Sequence, residues 1–210
     1  MKFENLIKYV LPEVSGAPDP LIIEMIRESA IQFCEKTNIY TTEPENIFVT
    51  TGLREYDIDA PTTQAQVNHI IKIWGAHGND NTEMVAKAPD DVYRYTSSDT
   101  GAPQYYSQIT SSQIIIAPYP DKAYTLRSFT SFKPTNTATS LPDEIMKEHY
   151  ETIVHGALYR LQQMADRTWT NPAASANNFT LNNKGISAAA RRAKYGYAGA
   201  SLTVKAVEFI

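Results

Sequence analysis

The sequence has little cysteine and no long apolar run. Its single cysteine, Cys34, excludes an internal disulfide and any metal site built from clustered cysteines. No apolar run approaches the roughly 20 residues that a membrane-spanning helix needs. The stretch Met1–Asn5 has an early acid where a signal peptide would need apolar residues. We therefore expect a soluble protein, made in a reducing cytoplasm, that contacts no membrane.

The short motifs of common catalytic and nucleotide-binding sites are also absent. The sequence contains no G-x-x-x-x-G-K-[ST] loop, no G-x-G-x-x-G turn, no G-x-S-x-G elbow and no H-E-x-x-H pair. His149 and His155 are six residues apart on a predicted helix, so they do not share a face as paired metal ligands would. We expect no enzyme activity, no cofactor and no metal site.

Charge is unevenly distributed along the chain, whose formal net charge is -4. Residues 1–45 carry eight acids and four bases, whereas residues 184–207 carry five bases and no acid. The net negative charge argues against non-specific nucleic-acid binding by the whole surface. Opposite charges at the two ends would be complementary between copies in a head-to-tail ring. A solvated basic helix would explain the basic end equally well.

Helical periodicity dominates the first 44 residues. Residues 3–10 have helical spacing, and Pro12 should end that helix because the residue before a proline disfavours the α region. Asp19 is the predicted N-cap of a second helix, with Pro20 at its first position. The face predicted to be buried comprises Ile22, Ile26, Ala30, Phe33 and Thr37.

Between about residues 45 and 135 the pattern changes to short alternating segments separated by turn residues. Such segments are typical of a small antiparallel sandwich or barrel. Pro118, Pro120 and Asp121 should form a turn between the last two strands. The predicted strands are 47–51, 55–59, 67–74, 105–110, 112–117 and 123–129.

Helices return after residue 141. Pro142 marks a helix start, followed by acids that the helix dipole favours. Gly156 lies within this helix and predicts a close approach of another helix, because glycine costs about 1 kcal/mol relative to alanine in an exposed helix. A last helix is predicted over 172–192, with Phe179 and Ile186 facing inward. The apolar face of the earlier helix comprises Met146, Tyr150, Ile153, Ala157, Leu161 and Met164.

The helical segments flank the β segments. We predict an α+β protein in which residues 1–44 and 136–200 form one helical bundle. Residues 45–135 form an antiparallel β domain inserted in that bundle. An extended C-terminal arm follows at 201–210, and it has no partner strand nearby in sequence. It is therefore a candidate for docking onto another subunit.

Three groups of segments stand out in their order and spacing along the chain. They are Phe33–Thr37 with Thr41–Glu45; Glu55–Ile58, Gly101–Tyr106 and Ile116–Asp121; and Leu141–Glu144, Gly156–Leu158 and Trp169–Pro172. The third group contains an LPD helix start, a GAL segment and a W-x-[ND]-P loop. In order and spacing these segments resemble the head-to-tail adaptor (connector) proteins of short-tailed, podovirus-type phages, which include tail tubular protein A-like proteins.

The resemblance implies a structural virion protein with no catalytic residues. Such a protein is assembled in the host cytoplasm and forms a ring, typically of about twelve copies, in the neck between capsid and tail. It joins the portal protein to tail or nozzle proteins, and DNA passes through its channel without sequence-specific binding. The predicted interface with the portal or with neighbouring subunits comprises Arg191, Arg192, Lys194, Leu202, Val204, Val207 and Phe209.

Two other functions stay open at this point. Glu144, Glu148 and Glu151 line one helix face, and paired carboxylates are what a virion-associated cell-wall hydrolase would use. Acids near a helix start are, however, also common because of the dipole. Tyr105 and Tyr106 could instead form the stacking platform of a β-sandwich module that binds a receptor or a glycan.

Overall fold

The structure is a computed structural model that describes residues 1–75, 79 and 81–196. It has a mixed α+β fold with antiparallel sheets, which confirms the predicted class. In these ranges the helices are α1 (Ile7–Val10), α2 (Asp19–Thr37), α3 (Pro89–Tyr93), α4 (Asp143–Gln162) and α5 (Pro172–Tyr195). The strands are β1 (Glu45–Val49), β2 (Glu55–Asp57), β3 (Ala65–Trp74), β4 (Val85–Ala86), β5 (Thr100–Gly101), β6 (Tyr105–Gln108), β7 (Gln113–Ala117), β8 (Tyr119–Pro120) and β9 (Tyr124–Pro134).

The N-terminal helical region matches the prediction at Pro12 but differs from it at Asp19. Helix α1 ends at Val10, before Pro12 as predicted, and a 3-10 turn, Leu11–Glu13, follows it. Asp19 is not the N-cap of α2 but its first residue. The carbonyl of Pro18 accepts hydrogen bonds from the N–H groups of Leu21 and Ile22. The helix therefore starts one residue earlier than predicted.

The strands form three sheets of different sizes. One has the order β1-β9-β3, with β9 in the centre and both neighbours antiparallel to it. A second has the order β2-β7-β6-β4, and a third consists of β5 and β8. The two-residue strands β4 and β5 pair in parallel with β6 and β8. The two larger sheets are therefore antiparallel except at β4, and the small β5-β8 sheet is parallel.

The predicted turn between the last two strands is partly a strand. Tyr119 and Pro120 form β8, and the carbonyl of Pro120 accepts a hydrogen bond of 2.9 Å from the N–H of Gly52. Proline fits here because a strand at a sheet edge does not need every N–H group. Helix α3 was not predicted, and it begins at Pro89, a position that favours a helix start.

The long helices pack closely against one another. Helix α2 contacts α4, and α4 contacts α5. A Cβ added at Gly156 of α4 would lie 2.0 Å from Oγ of Ser29 on α2. A Cβ added at Gly185 of α5 would lie 2.2 Å from Oγ1 of Thr152 on α4. The close approach predicted from Gly156 is confirmed.

One hydrophobic core joins the helices and the larger sheets. It contains Phe33 of α2 and Ile153 of α4 together with Val67 and Phe132 of the β1-β9-β3 sheet. The division into a bundle over 1–44 and 136–200 and a domain over 45–135 stays a prediction, and the predicted arm, 201–210, lies outside the described residues. None of the helices in the described ranges combines the length and hydrophobicity of a bilayer-spanning segment.

Candidate interaction surfaces

Helix α5 carries all of the predicted interface residues that the structure describes. Asn171 caps its N-terminus, since its Oδ1 accepts a hydrogen bond of 3.1 Å from the N–H of Ala174. Proline follows at the first helical position. The helix contains no acidic residue, and it has basic residues in its last turn, where the dipole favours them. Its basic residues are Lys184, Arg191, Arg192 and Lys194.

The face that α5 buries is largely polar. Ile186 is buried, as predicted, but Phe179 is 50% exposed, so its predicted inward position is wrong. Asn178 and Asn182 are buried instead. One residue along a helix is a rotation of about 100°. The inward position of Asn178 therefore turns Phe179 toward solvent, where its ring makes an edge contact with Tyr159.

Hydrogen bonds join this polar face to α4. Ser175 Oγ donates to the carbonyl of Tyr159 over 2.9 Å. Asn178 Nδ2 donates to Oε1 of Gln162 over 2.9 Å. Asn182 Nδ2 donates to the carbonyl of Thr152 over 2.8 Å. Buried polar groups that are satisfied in this way fix one relative placement of two helices, so α5 is held on α4 in a defined register.

Arg192 of the predicted interface contacts the chain's own surface. Its Nη1 forms an ion pair with Oε1 of Glu148 on α4, and the other carboxylate oxygen of Glu148 lies 3.8 Å from Nε2 of His149. The pair ties the end of α5 to α4. Glu148 was the first candidate for a hydrolase acid together with Glu144. Its contact with Arg192 gives it a structural role.

A groove lies between the last turn of α5 and the β1-β9-β3 sheet. Its volume is about 760 Å³. Ile71 and Trp74 of β3 and Phe129 of β9 line it from the sheet, and Arg192 and Lys194 line it from the helix. We call this feature the α5–sheet groove. Two of the predicted interface residues therefore share one concave surface.

Arg191 lies on a different surface. Together with Phe179 and Lys184 it lines a shallow depression of about 420 Å³ on the solvent side of α5. We call this the α5 outer strip, which comprises Phe179, Thr180, Asn183, Lys184, Ser187 and Arg191. The predicted bases thus divide between two surfaces. The other predicted interface residues, which lie outside the described residues, are Leu202, Val204, Val207 and Phe209.

Fewer acidic residues of the first 45 positions are available to pair with another subunit than their number implies. Three of the eight form ion pairs within the chain, and one of these reaches Arg160 on α4 at 3.7 Å. Such pairs neutralise part of the acidic excess locally. The charge asymmetry of the folded surface therefore rests more on α5 than on the N-terminal segment. The three pairs are Glu24 with Arg27, Glu28 with Arg160, and Glu35 with Lys133.

The tyrosines proposed as a stacking platform do not form one. Tyr105 and Tyr106 are successive residues of β6, so their side chains point to opposite faces of the sheet. Tyr106 is buried, and the Nζ of Lys87 lies 3.6 Å from the ring centroid of Tyr105. The prediction that these two rings form a flat glycan-binding surface is therefore wrong.

The sequence did not indicate a cluster around Arg54. The guanidinium of Arg54 lies 5.2 Å from the ring centroid of Tyr93 and 4.8 Å from that of Tyr119. Its Nη1 donates a hydrogen bond of 3.2 Å to the carbonyl of Tyr95. Tyr93 is about half exposed, and so is Leu53, which precedes Arg54 in the sequence. Tyrosine and arginine are enriched in protein interfaces, but the pairing depends on α3, which no sequence pattern predicted.

Burial shifts the pKa of two titratable groups on the long helices. Burial raises the pKa of the Cys34 thiol well above its usual range, so Cys34 has the inert character expected of a packed side chain. Burial lowers the pKa of His149. Within the described ranges, no three residues among histidine, cysteine, aspartate and glutamate are placed to hold a metal ion.

The exposed aromatic and arginine side chains on these surfaces are of the kind enriched in protein interfaces. The model of the SU10 adaptor protein family matches residues 1–204. The chain belongs to this family of phage adaptor proteins, which is structural and is not known as enzymatic, and it is a virion component. No curated protein matches the chain.

Proposed function

We propose that this protein is a ring-forming head-to-tail adaptor subunit of a tail tubular protein A-like type. About twelve copies would form a ring in the neck of a short-tailed phage, between the portal protein and the tail or nozzle proteins. The ring would line the channel through which DNA passes. The α5 outer strip is the observation that carries this proposal.

The outer strip contains two residues of types that are enriched in protein interfaces. Phe179 is half exposed on a helix surface, and Arg191 lies further along the same strip. Aromatic and arginine side chains contribute much of the binding energy in protein interfaces. Four residues of the strip are spaced four positions apart along α5: Phe179, Asn183, Ser187 and Arg191. A neighbouring subunit would therefore contact one continuous helix face.

The ring also requires a subunit that does not deform when its neighbours bind. The hydrogen bonds from Asn178 and Asn182 to α4, and the close contact at Gly156, hold three helices in one arrangement. Adjacent copies would then repeat the same geometry. The net charge of -4 suits a channel through which DNA passes without being bound.

The experiment that tests the proposal is reconstitution with the portal protein of the same phage. The purified chain would be mixed with portal particles, and the product imaged by electron microscopy. We expect a ring of adaptor density on one end of each portal. Portal particles that carry no adaptor, with a folded chain in solution, would overturn the proposal.

Phe179→Ala tests the outer strip in that experiment. We expect it to reduce ring formation while the thermal midpoint changes little, because Phe179 contributes only an edge contact with Tyr159 to the fold. Phe48→Ala is the matched control. Phe48 is 74% exposed on β1, away from the helices, and its replacement should leave assembly unchanged. Equal effects of the two substitutions would contradict an interface at the strip.

The proposed arm, 201–210, would reach the portal. Deleting these residues should leave a folded chain whose docking on the portal is weakened, measured by co-sedimentation with portal particles. Normal docking of the truncated chain would contradict this role of the arm.

A further inference from the structure

The α5–sheet groove leaves several large apolar side chains partly uncovered. Ile39, Ile71, Trp74 and Phe129 all line it and are only half buried. A volume of about 760 Å³ lies within the range of sites that bind small ligands or a few side chains. Burying apolar surface gains roughly 25 cal/mol per Å², so this groove favours an apolar occupant.

An irregularity in β3 shapes the groove. The register of β3 against β9 shifts between Ile70, which pairs with Thr130, and Lys72, which pairs with Phe129. Ile71 is therefore the extra residue of a β-bulge. Bulges redirect side chains relative to a regular strand, and here the redirected residue is one that lines the groove.

Helix α5 ends at the groove. Gly196 follows the helix and is itself one of the lining residues. Its φ of 69° is a left-handed value that glycine adopts without strain. Four residues, 197–200, separate it from Ser201, and they span about 14 Å at most. Residues 201–210 therefore begin within reach of the groove.

We propose that residues 201–210 of the same chain occupy the α5–sheet groove in the free subunit. Six of these ten residues are apolar. In an extended segment, alternate side chains share one face, so Leu202 and Val204 would enter the groove while Thr203 and Lys205 face solvent. The inference concerns the isolated chain and does not depend on ring formation.

The linker length selects the chain's own segment over that of another copy. A short linker gives an effective concentration on the order of millimolar. A second copy in a dilute solution competes at a far lower concentration. Docking within one chain therefore predominates until a partner with a better site removes the segment from the groove.

Trp74 is the natural reporter, and Trp169→Phe removes the only other tryptophan. In this background, deleting 201–210 should shift Trp74 emission to longer wavelength and increase its quenching by acrylamide. A synthetic peptide of residues 201–210, added to the truncated chain, should reverse both changes with saturation. Circular dichroism would establish that the truncated chain is folded.

Paired substitutions in the full chain test which side chains of residues 201–210 enter the α5–sheet groove. Leu202→Ser with Val204→Ser should reproduce the effect of truncation on Trp74, whereas the matched pair Thr203→Ser with Lys205→Ser should have none. Ile71→Lys in the truncated chain should abolish peptide binding, and Leu53→Lys, at an exposed residue elsewhere, should leave it intact.

Three results would overturn the proposal. Trp74 emission that is the same with and without residues 201–210 would show an empty groove. Equal effects of the two substitution pairs would show that Leu202 and Val204 do not enter it. A Trp74 signal in the full chain that changes on about hundredfold dilution would assign the groove to another copy's segment. These results concern the free chain, so they are distinguishable from a failure of portal reconstitution.

Discussion

Gly156 on α4 faces Ser29 on α2 so closely that a Cβ at residue 156 would lie 2.0 Å from the serine Oγ. That oxygen donates a hydrogen bond of 2.8 Å to the carbonyl of Ile153, so it is held in place. On the opposite side, Nδ2 of Asn182 lies 2.7 Å from the same position. One glycine thus sets the spacing of three helices.

Gly156→Ala should destabilise the protein despite the better helix propensity of alanine. The propensity gain is about 1 kcal/mol, but overpacking costs typically about 1–3 kcal/mol and here displaces two hydrogen-bonded side chains. Urea unfolding followed by circular dichroism would measure the change. Gly101→Ala is the control, because a Cβ there meets only Pro118 Cγ at 3.5 Å. A Gly156→Ala protein more stable than wild type would contradict the packing described.

Asn178→Ala should lower the free energy of unfolding by about 1–3 kcal/mol, since it leaves buried partners without their hydrogen bonds. Asn178 connects His155, at 2.8 Å, with Gln162, at 2.9 Å. The neighbouring Asn177 is exposed and provides a matched control whose replacement should change stability by less than about 0.5 kcal/mol. Thermal unfolding of the two variants side by side would measure this difference, and similar midpoints would refute it.

Cys34 should not react with a thiol reagent in the native protein. It is fully buried on α2, and burial raises the pKa of its thiol, so little reactive thiolate forms at neutral pH. Colorimetric titration with a disulfide reagent should detect the thiol only after denaturation. Rapid reaction of the folded chain would mean that α2 opens away from the core.

His149 should make stability depend on pH on the acid side of neutrality. Burial lowers the pKa of His149 in the folded chain below the unfolded value of 6.5, so the native state favours the neutral ring. Its contribution is therefore present above about pH 6.5 and is lost as pH falls through the lowered folded pKa, because the unfolded chain then binds the proton more readily. The ring of Phe33 and the Glu148–Arg192 pair surround it.

The measurement is the pH dependence of the urea midpoint for wild type and for His149→Leu. The variant should lose less stability than wild type between neutral and mildly acidic pH, whatever its stability at neutral pH. Parallel profiles for the two proteins would show that another group is responsible.

Sequence periodicity predicted the apolar helix faces well. Ile22, Ile26 and Phe33 on α2 and Met146 and Ile153 on α4 are all buried, because apolar residues at helical spacing have few alternatives to a core. The same periodicity did not predict correctly which face of helix α5 is buried. Its inward face is selected by hydrogen bonds to α4, and a hydrophobicity pattern cannot distinguish a buried asparagine from an exposed one.

The short strands could not be predicted, because they form by pairing with strands that are distant in sequence. Strands β4 and β5 have two residues each, and neither has a periodicity to detect. The positions of the interface residues could not be predicted from the sequence either. The run of bases near residue 191 was visible in the sequence, but the contact of Arg192 with Glu148 and the position of Arg191 on another surface follow from how α4 and α5 pack.

The bulge at Ile71 has a consequence for how this strand tolerates change in length. Ile70 pairs with Thr130 and Lys72 with Phe129, which are neighbours on β9, so deleting Ile71 would close the ladder at this point and keep the facing of both flanks. What would be lost is the unpaired side chain that the bulge directs to the groove. A strand without a bulge has no such tolerance, because one deletion there turns every side chain on one flank to the other face.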